Sequence, residues 1–162
     1  MYQISISDLY QITSSGNKIN YASGGIGSAP HLAGELLNSM AKIKMVHIPF
    51  RGGGPSLTGV MTGQADLFMG GLSAALPPVK AGRLLAIAVT STKRSQFVPQ
   101  IPTIAETLPG YDVLNWYAIF APAATPKDIV SRLNSEIVKA MATPELKKRF
   151  HDLGTDASTS TP

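Results

Sequence analysis

Gly24, Gly25, Gly27 and Ser28 stand between the run Tyr21-Ala22-Ser23 and the pair Ala29-Pro30, a spacing suited to holding a small anion. The glycines open backbone conformations closed to other residues, Ser28 is of the type that caps a helix, and Pro30 fits its first turn. Backbone N–H groups left exposed in such a bend, at the positive end of a helix dipole, suit a carboxylate or a phosphate. A glycine-rich bend serves equally well as a plain tight turn, so both readings stay open on these residues alone. There is no Gly-Lys-Ser/Thr to make a Walker A loop, and Gly25-x-Gly27 lacks the third glycine of the dinucleotide fingerprint. His31 falls in the first turn of the following helix, where it could donate to a bound acid. Arg51 closes a later apolar run and could clamp a carboxylate with two parallel N–H bonds.

Machinery for turnover is absent from the pattern. Gly-x-Ser-x-Gly does not occur, Ser28 has only His31 close by in sequence, and Glu35, Asp66, Glu106, Asp112 and Asp128 fall on separate elements. The three histidines, His31, His47 and His151, lack the i, i+4 spacing of a metal pair, and there is no cysteine. His47, inside an apolar run, reads as a hydrogen-bonded core residue, and His151 as a solvated one. The expectation is therefore binding without catalytic residues, metal or cofactor; a hydrolase using His31 as base is the weakest rival.

These residues need elements to position them. At 162 residues the chain suits one domain with a real core, and 44% hydrophobic against 15% charged residues excludes disorder throughout. Its 15 glycines and 12 prolines indicate many turns. The net charge of +4 is spread over scattered Lys and Arg, with neither a basic stripe nor interleaved aromatics, so nucleic acid is not expected as a partner. No apolar run is long enough to cross a bilayer, and Met1-Tyr2-Gln3-Ile4-Ser5 does not begin an export signal.

Along the chain, Ser5–Ser15 predicts a short helix, Ile19–Ser23 a strand, and Pro30 to about Lys42 a helix with Leu32, Leu36, Leu37 and Met40 as its inner stripe. Met45–Phe50 predicts a buried strand, followed by a second glycine turn, Arg51–Ser56, and a helix ending at Gly63. The unit recurs as strand Asp66–Met69, turn Gly70-Gly71, helix Leu72–Ala81 and strand Leu84–Thr90. This alternation is that of βαβ units with a mainly parallel sheet, which gathers ligands at the carboxyl ends of its strands. Beyond a proline-bearing stretch, Val113–Ala121, with Trp116 read as a core or cleft-lining residue, predicts a strong strand. Thr125-Pro126-Lys127-Asp128 predicts a capping box, leading a helix to about Ala142 with Ile129, Leu133, Ile137 and Met141 on one face. A last helix from Thr143-Pro144 ends at Gly154. The amphipathic face of the penultimate helix lacks an obvious surface within this chain to cover.

Taken in order, Tyr21-Ala22-Ser23-Gly24-Gly25-Ile26-Gly27-Ser28, His31-Leu32-Ala33-Gly34-Glu35-Leu36, Val46-His47-Ile48-Pro49-Phe50-Arg51-Gly52, Lys80-Ala81-Gly82-Arg83-Leu84, Pro102-Thr103-Ile104-Ala105-Glu106 and Phe120-Ala121-Pro122-Ala123-Ala124-Thr125-Pro126 resemble the substrate-binding proteins of tripartite tricarboxylate transporters, the TctC or Bug family of periplasmic receptors. The resemblance begins at about Ser5 and covers only the later half of such a receptor. It implies an α/β, type II periplasmic-binding-protein fold, a Venus flytrap whose two domains close over a small carboxylate. In these terms residues 1–14 are a helical crossover, 15–115 the second domain, and 116–162 a segment returning to a first domain that this sequence lacks.

The resemblance further implies that the carboxylate is held by amides and hydroxyls of Ser23, Gly24, Gly25, Ile26, Gly27 and Ser28, with His31, Arg51, Gly70 and Gly71 shaping the site. Members commonly carry Phe-Asp-Asn where this chain has Met69-Gly70-Gly71, which favours a plain or aromatic acid over an amino acid. The implied partners are membrane transporter subunits and the implied location is the periplasm. A rival from another class is an assembly module that dimerises through the C-terminal helices.

Overall fold

In a computed structural model the protein is described at residues 8, 11 and 18–161; the helix expected over Ser5–Ser15 falls outside these except at Asp8 and Gln11, both helical. The chain divides into two compact units, residues 1–115 and 116–162.

The first unit is built on a three-stranded parallel sheet. Strand β1 (Asn20–Ser23) lies in the middle, β2 (Val46–Pro49) on one side and β3 (Leu67–Phe68) on the other. Asn20 pairs with Val46 and Ser23 with Pro49, while Tyr21 pairs with Leu67. The start of the β1–β3 pairing is clipped reciprocally: Asn20 N donates to Asp66 Oδ2 at 2.8 Å and Asp66 N to Asn20 Oδ1 at 2.9 Å. Crossovers are made by α1 (Ala29–Ala41) and α2 (Gly53–Met61), and α3 (Leu72–Lys80) follows β3. Lys42 ends α1 in the left-handed conformation at φ 56°, and the Asn38 amide then clamps Met45 from both sides, at 2.9 and 3.1 Å.

The core gathers Ile19, Tyr21, Leu37, Ile43, Met45, Ile104 and Tyr111. On α1 the fully buried face is Ala33, Gly34 and Leu37, with Leu36 and Met40 packed at its edge; Leu32, predicted inside, is exposed. Gly34 is the reason for the rotation. A Cβ there would overlap the Tyr21 ring, so the bare backbone of α1 settles directly on that ring. The Tyr111 hydroxyl, buried, donates to Ala33 O at 2.9 Å and ties the far end of the unit to the same helix.

Two predicted strands differ. Leu84–Thr90 forms no strand; Val89 makes only an isolated parallel bridge with Thr103. The segment 91–109 is held instead by side chains. Thr103 and Glu106 form a true capping box around the 3-10 turn Ile104–Glu106, and Arg94 grips Glu106 with two bonds of 2.7 Å. Val113–Ala121 is irregular and largely exposed, because β-rich sequence needs a neighbouring ladder and none is supplied among the described residues. Trp116, read as core or cleft-lining, is 70% exposed.

The second unit contains α4 (Lys127–Ala142) and α5 (Pro144–Asp152). Thr125 makes no side-chain cap: α4 begins after Pro126, with the carbonyl of Pro126 taking the Val130 N–H at 3.1 Å. Thr143 does cap α5, accepting from Leu146 N at 3.4 Å, and Gly154 follows at φ 68°.

Candidate functional site

At the carboxyl end of the sheet, two glycine loops lie against each other. Phe50 N donates to Ser23 O at 3.0 Å and Gly52 N to Gly24 O at 3.1 Å, so the bend Ser23–Ser28 and the turn Phe50–Pro55 form one surface. The fit needs glycine at position 24, where a Cβ would press on the Gly52 backbone at 3.3 Å. On the other flank Met69 N donates to Ala22 O at 3.0 Å, bringing in the end of β3.

Within the bend the groups divide into spent and free. Ser23 is completely buried, with its hydroxyl turned inward: it lies 2.7 Å from His47 Nε2 and accepts the Gly25 N–H at 3.2 Å. Ser28 caps α1, accepting from His31 N at 3.4 Å while its hydroxyl donates to Gly25 O at 2.7 Å. Gly27 N donates to His31 Nδ1 at 3.2 Å, and Ser28 N to Gly25 O at 3.3 Å. Among the described residues no hydrogen bond engages the N–H of Gly24 or of Ile26. The Ile26 side chain is 80% exposed. Two unclaimed amides, and a third bonded only to the His31 ring at 3.2 Å, therefore lie in the bend that leads into the positive end of α1.

Beneath them lies a polar stack whose members are far apart in sequence. The His31 and His47 rings are 4.2 Å apart, and Tyr21 stacks on His47 at 4.9 Å. The Tyr21 hydroxyl donates to Glu35 Oε1 at 2.7 Å, and burial with that bond pushes the phenol well above its usual range. Burial, then the nearby His31, hold His47 below the usual histidine range, against a smaller upward pull from Glu35.

Of the residues predicted for the site, the structure brings Ser23, Gly24, Gly25, Ile26, Gly27, Ser28 and His31 together. Ser23 supports the bend from below in this conformation. Arg51 is exposed on the adjoining loop, one residue before Gly52. Gly70 and Gly71 follow β3, with Gly71 as the N-cap of α3 and the Phe68 ring over Gly70; no hydrogen bond joins them to the bend among the described residues. His47 was read as core. It sits half-buried on an edge strand, and its link to Ser23 spans 24 residues, a contact that spacing cannot reveal. Among the described residues no three His, Asp or Glu converge as metal ligands, and no helix is long and apolar enough to cross a membrane.

Residues 5–161 match the family described as the tripartite tricarboxylate transporter family receptor. The chain is 39% identical over 139 residues to the UPF0065 protein in the tcbD-tcbE intergenic region of Pseudomonas sp. strain P51, covering 85% of this chain and 41% of that relative. It is similar to the solved structure of R. palustris Rpa4515 with adipate, at TM-score 0.91 and 28% identity, over 97% of this chain and 53% of that one. A periplasmic binding protein, BugD, is similar at TM-score 0.86 and 30% identity, over 93% of this chain and 51% of its own. The chain thus spans about half the length of these proteins. On a match that takes in nearly all its residues, it belongs to the TctC family of tripartite tricarboxylate transporter receptors.

Proposed function

We propose that this chain is the loop-bearing part of a periplasmic receptor for a small di- or tricarboxylic or aromatic acid, delivering it to membrane transporter subunits. The observation that carries the reading is the bend Ser23–Ser28, with free N–H groups at Gly24 and Ile26 over the start of α1. The adipate recorded with the similar R. palustris protein supports the same ligand class. Gly25, Gly27 and Ser28 complete the cradle, Ser23 stiffens it, and His31, Arg51, Gly70 and Gly71 set its rim.

Receptors of this kind gain affinity when opposed surfaces shut over the ligand. The 162 residues span about half of the similar proteins, so weak binding is expected of them when they are tested in isolation. Titrating adipate into the chain while following backbone amides should move Gly24 and Ile26 first, at millimolar concentration. Sub-micromolar affinity in calorimetry would refute the expected weakness, and unchanged Gly24 and Ile26 signals at saturating adipate would refute the site.

A second reading, self-association of the C-terminal unit, is favoured by the exposure of Ile129 and Leu133 on α4. Light scattering separates the two: a concentration-independent monomer rules out the assembly module.

A further inference from the structure

The bend carries an acceptor of its own. His31 Nδ1 takes the Gly27 N–H at 3.2 Å, which fixes the ring's proton, when it has only one, on Nε2. An incoming carboxylate must compete with that nitrogen for the amide. A second proton on the ring ends the competition, because Nδ1–H and Gly27 N–H are both donors and cannot share a bond. Gly27 is exposed, sits at φ 80°, and has open space where a Cβ would be, and glycine has the backbone freedom to turn its N–H from the ring to a ligand.

From this contact, and resting on the anion-binding reading of the bend, we infer that a carboxylate binds here together with one proton, taken up by His31, which surrenders the Gly27 amide to the ligand and adds a positive charge beside it. The neighbours fix the stoichiometry. His47 of β2, 4.2 Å away ring to ring, is pushed towards its neutral form by burial, and a charge on His31 pushes it the same way, so a second cation in the stack is resisted. Tyr21 of β1 remains a neutral phenol bonded to Glu35. Glu35, one turn along α1 from His31, is bonded to Tyr21 and pulls upward on His47, and Arg51 on the adjoining loop is exposed. Neutral His47 still holds Ser23, so the floor of the bend stays in place while its rim is released.

Linkage gives the size and the sign. A one-proton coupling strengthens binding as pH falls, by up to tenfold per pH unit above the histidine's titration, and bound ligand must raise that titration in return. Using the full chain, nuclear magnetic resonance can follow the His31 ring protons and the Gly27 amide between about pH 8 and about pH 5.5, where histidine changes charge. Without ligand, the Gly27 amide should move in step with the His31 ring. With saturating adipate the His31 midpoint should rise, and adipate should bind several-fold more tightly at the acid end. His31→Gln keeps an acceptor for Gly27 without a titrating group, so it should bind adipate with little dependence on pH.

A Gly27 amide that ignores the His31 titration overturns the inference with no ligand present. Adipate affinity that is flat with pH in the native chain overturns it while leaving the anion site intact. Equal pH dependence in His31→Gln assigns the proton elsewhere and also overturns it. Absence of adipate-induced shifts at Gly24 and Ile26 at every pH sinks the anion reading and the inference together.

Discussion

The two units of this chain use apolar residues in opposite ways. Every buried hydrophobic residue among those described, from Ile19 to Tyr111, belongs to the first unit. The second displays its apolar residues: Trp116, Tyr117, Ile119 and Phe120 are 70–83% exposed, and neither α4 nor α5 has a buried residue. Yet α4 has the more regular amphipathic repeat, with Ile129, Leu133, Ile137 and Met141 four apart, whereas α1 has a core face interrupted by Gly34. The contrast teaches that periodicity states which face a helix must cover. It does not state that the covering surface lies in the same stretch of sequence.

The sharpest way to break this contrast is at Tyr21. It is fully buried, stacked on His47, seated on Gly34 and bonded to Glu35, so Tyr21→Ala should cost roughly 3–5 kcal/mol. Urea denaturation followed by circular dichroism would measure it; a loss below about 1 kcal/mol, the usual worth of one hydrogen bond, would mean the first unit lacks the core described.

A smaller effect should separate the units by pH. Arg94, together with the Thr103 N–H, lowers the Glu106 carboxyl from 4.5 to about 2. A group with a depressed folded pKa stabilises above its unfolded value, so this contribution is complete above about pH 4.5 and fades as pH falls towards 2. Because the pair is exposed, the effect is modest and should shrink in high salt. Melting of the native chain and of Glu106→Gln should converge as pH falls from 5 to about 2.5; parallel curves would show that the carboxylate contributes nothing.

The least effect is expected from Leu133→Ser on α4, about half exposed. In a chain that stays monomeric it should change stability by no more than about 0.5 kcal/mol. A change of several kcal/mol that grows with protein concentration would reveal a covered face and erase the difference between the units.

Much of the first unit was legible because its signals are local. Glycine bends, the Ser28 cap, Pro30 and the alternation of short strands with helices specify β1, α1, β2, α2 and β3 within a few residues of their positions. Where the sequence misled, the deciding partner was remote. Leu84–Thr90 and Val113–Ala121 have strand composition, but a strand exists only against a neighbour, and composition does not name one. The inward face of α1 was misjudged at Leu32 because Gly34, with no side chain to count, makes the closest approach to Tyr21. In the candidate site the glycines announced themselves. The His31–His47–Ser23 arrangement did not, since it joins β1, α1 and β2 across 24 residues of chain.

The bond from Tyr111 to Ala33 spans 78 residues and anchors the helix whose start forms the rim of the bend. During synthesis α1 leaves the ribosome long before Tyr111 is joined to the chain. Until that tyrosine emerges, the bend has its bonds to the Phe50–Pro55 turn but α1 lacks this tie, and an early-arrested nascent chain should hold an acid less firmly than the finished one.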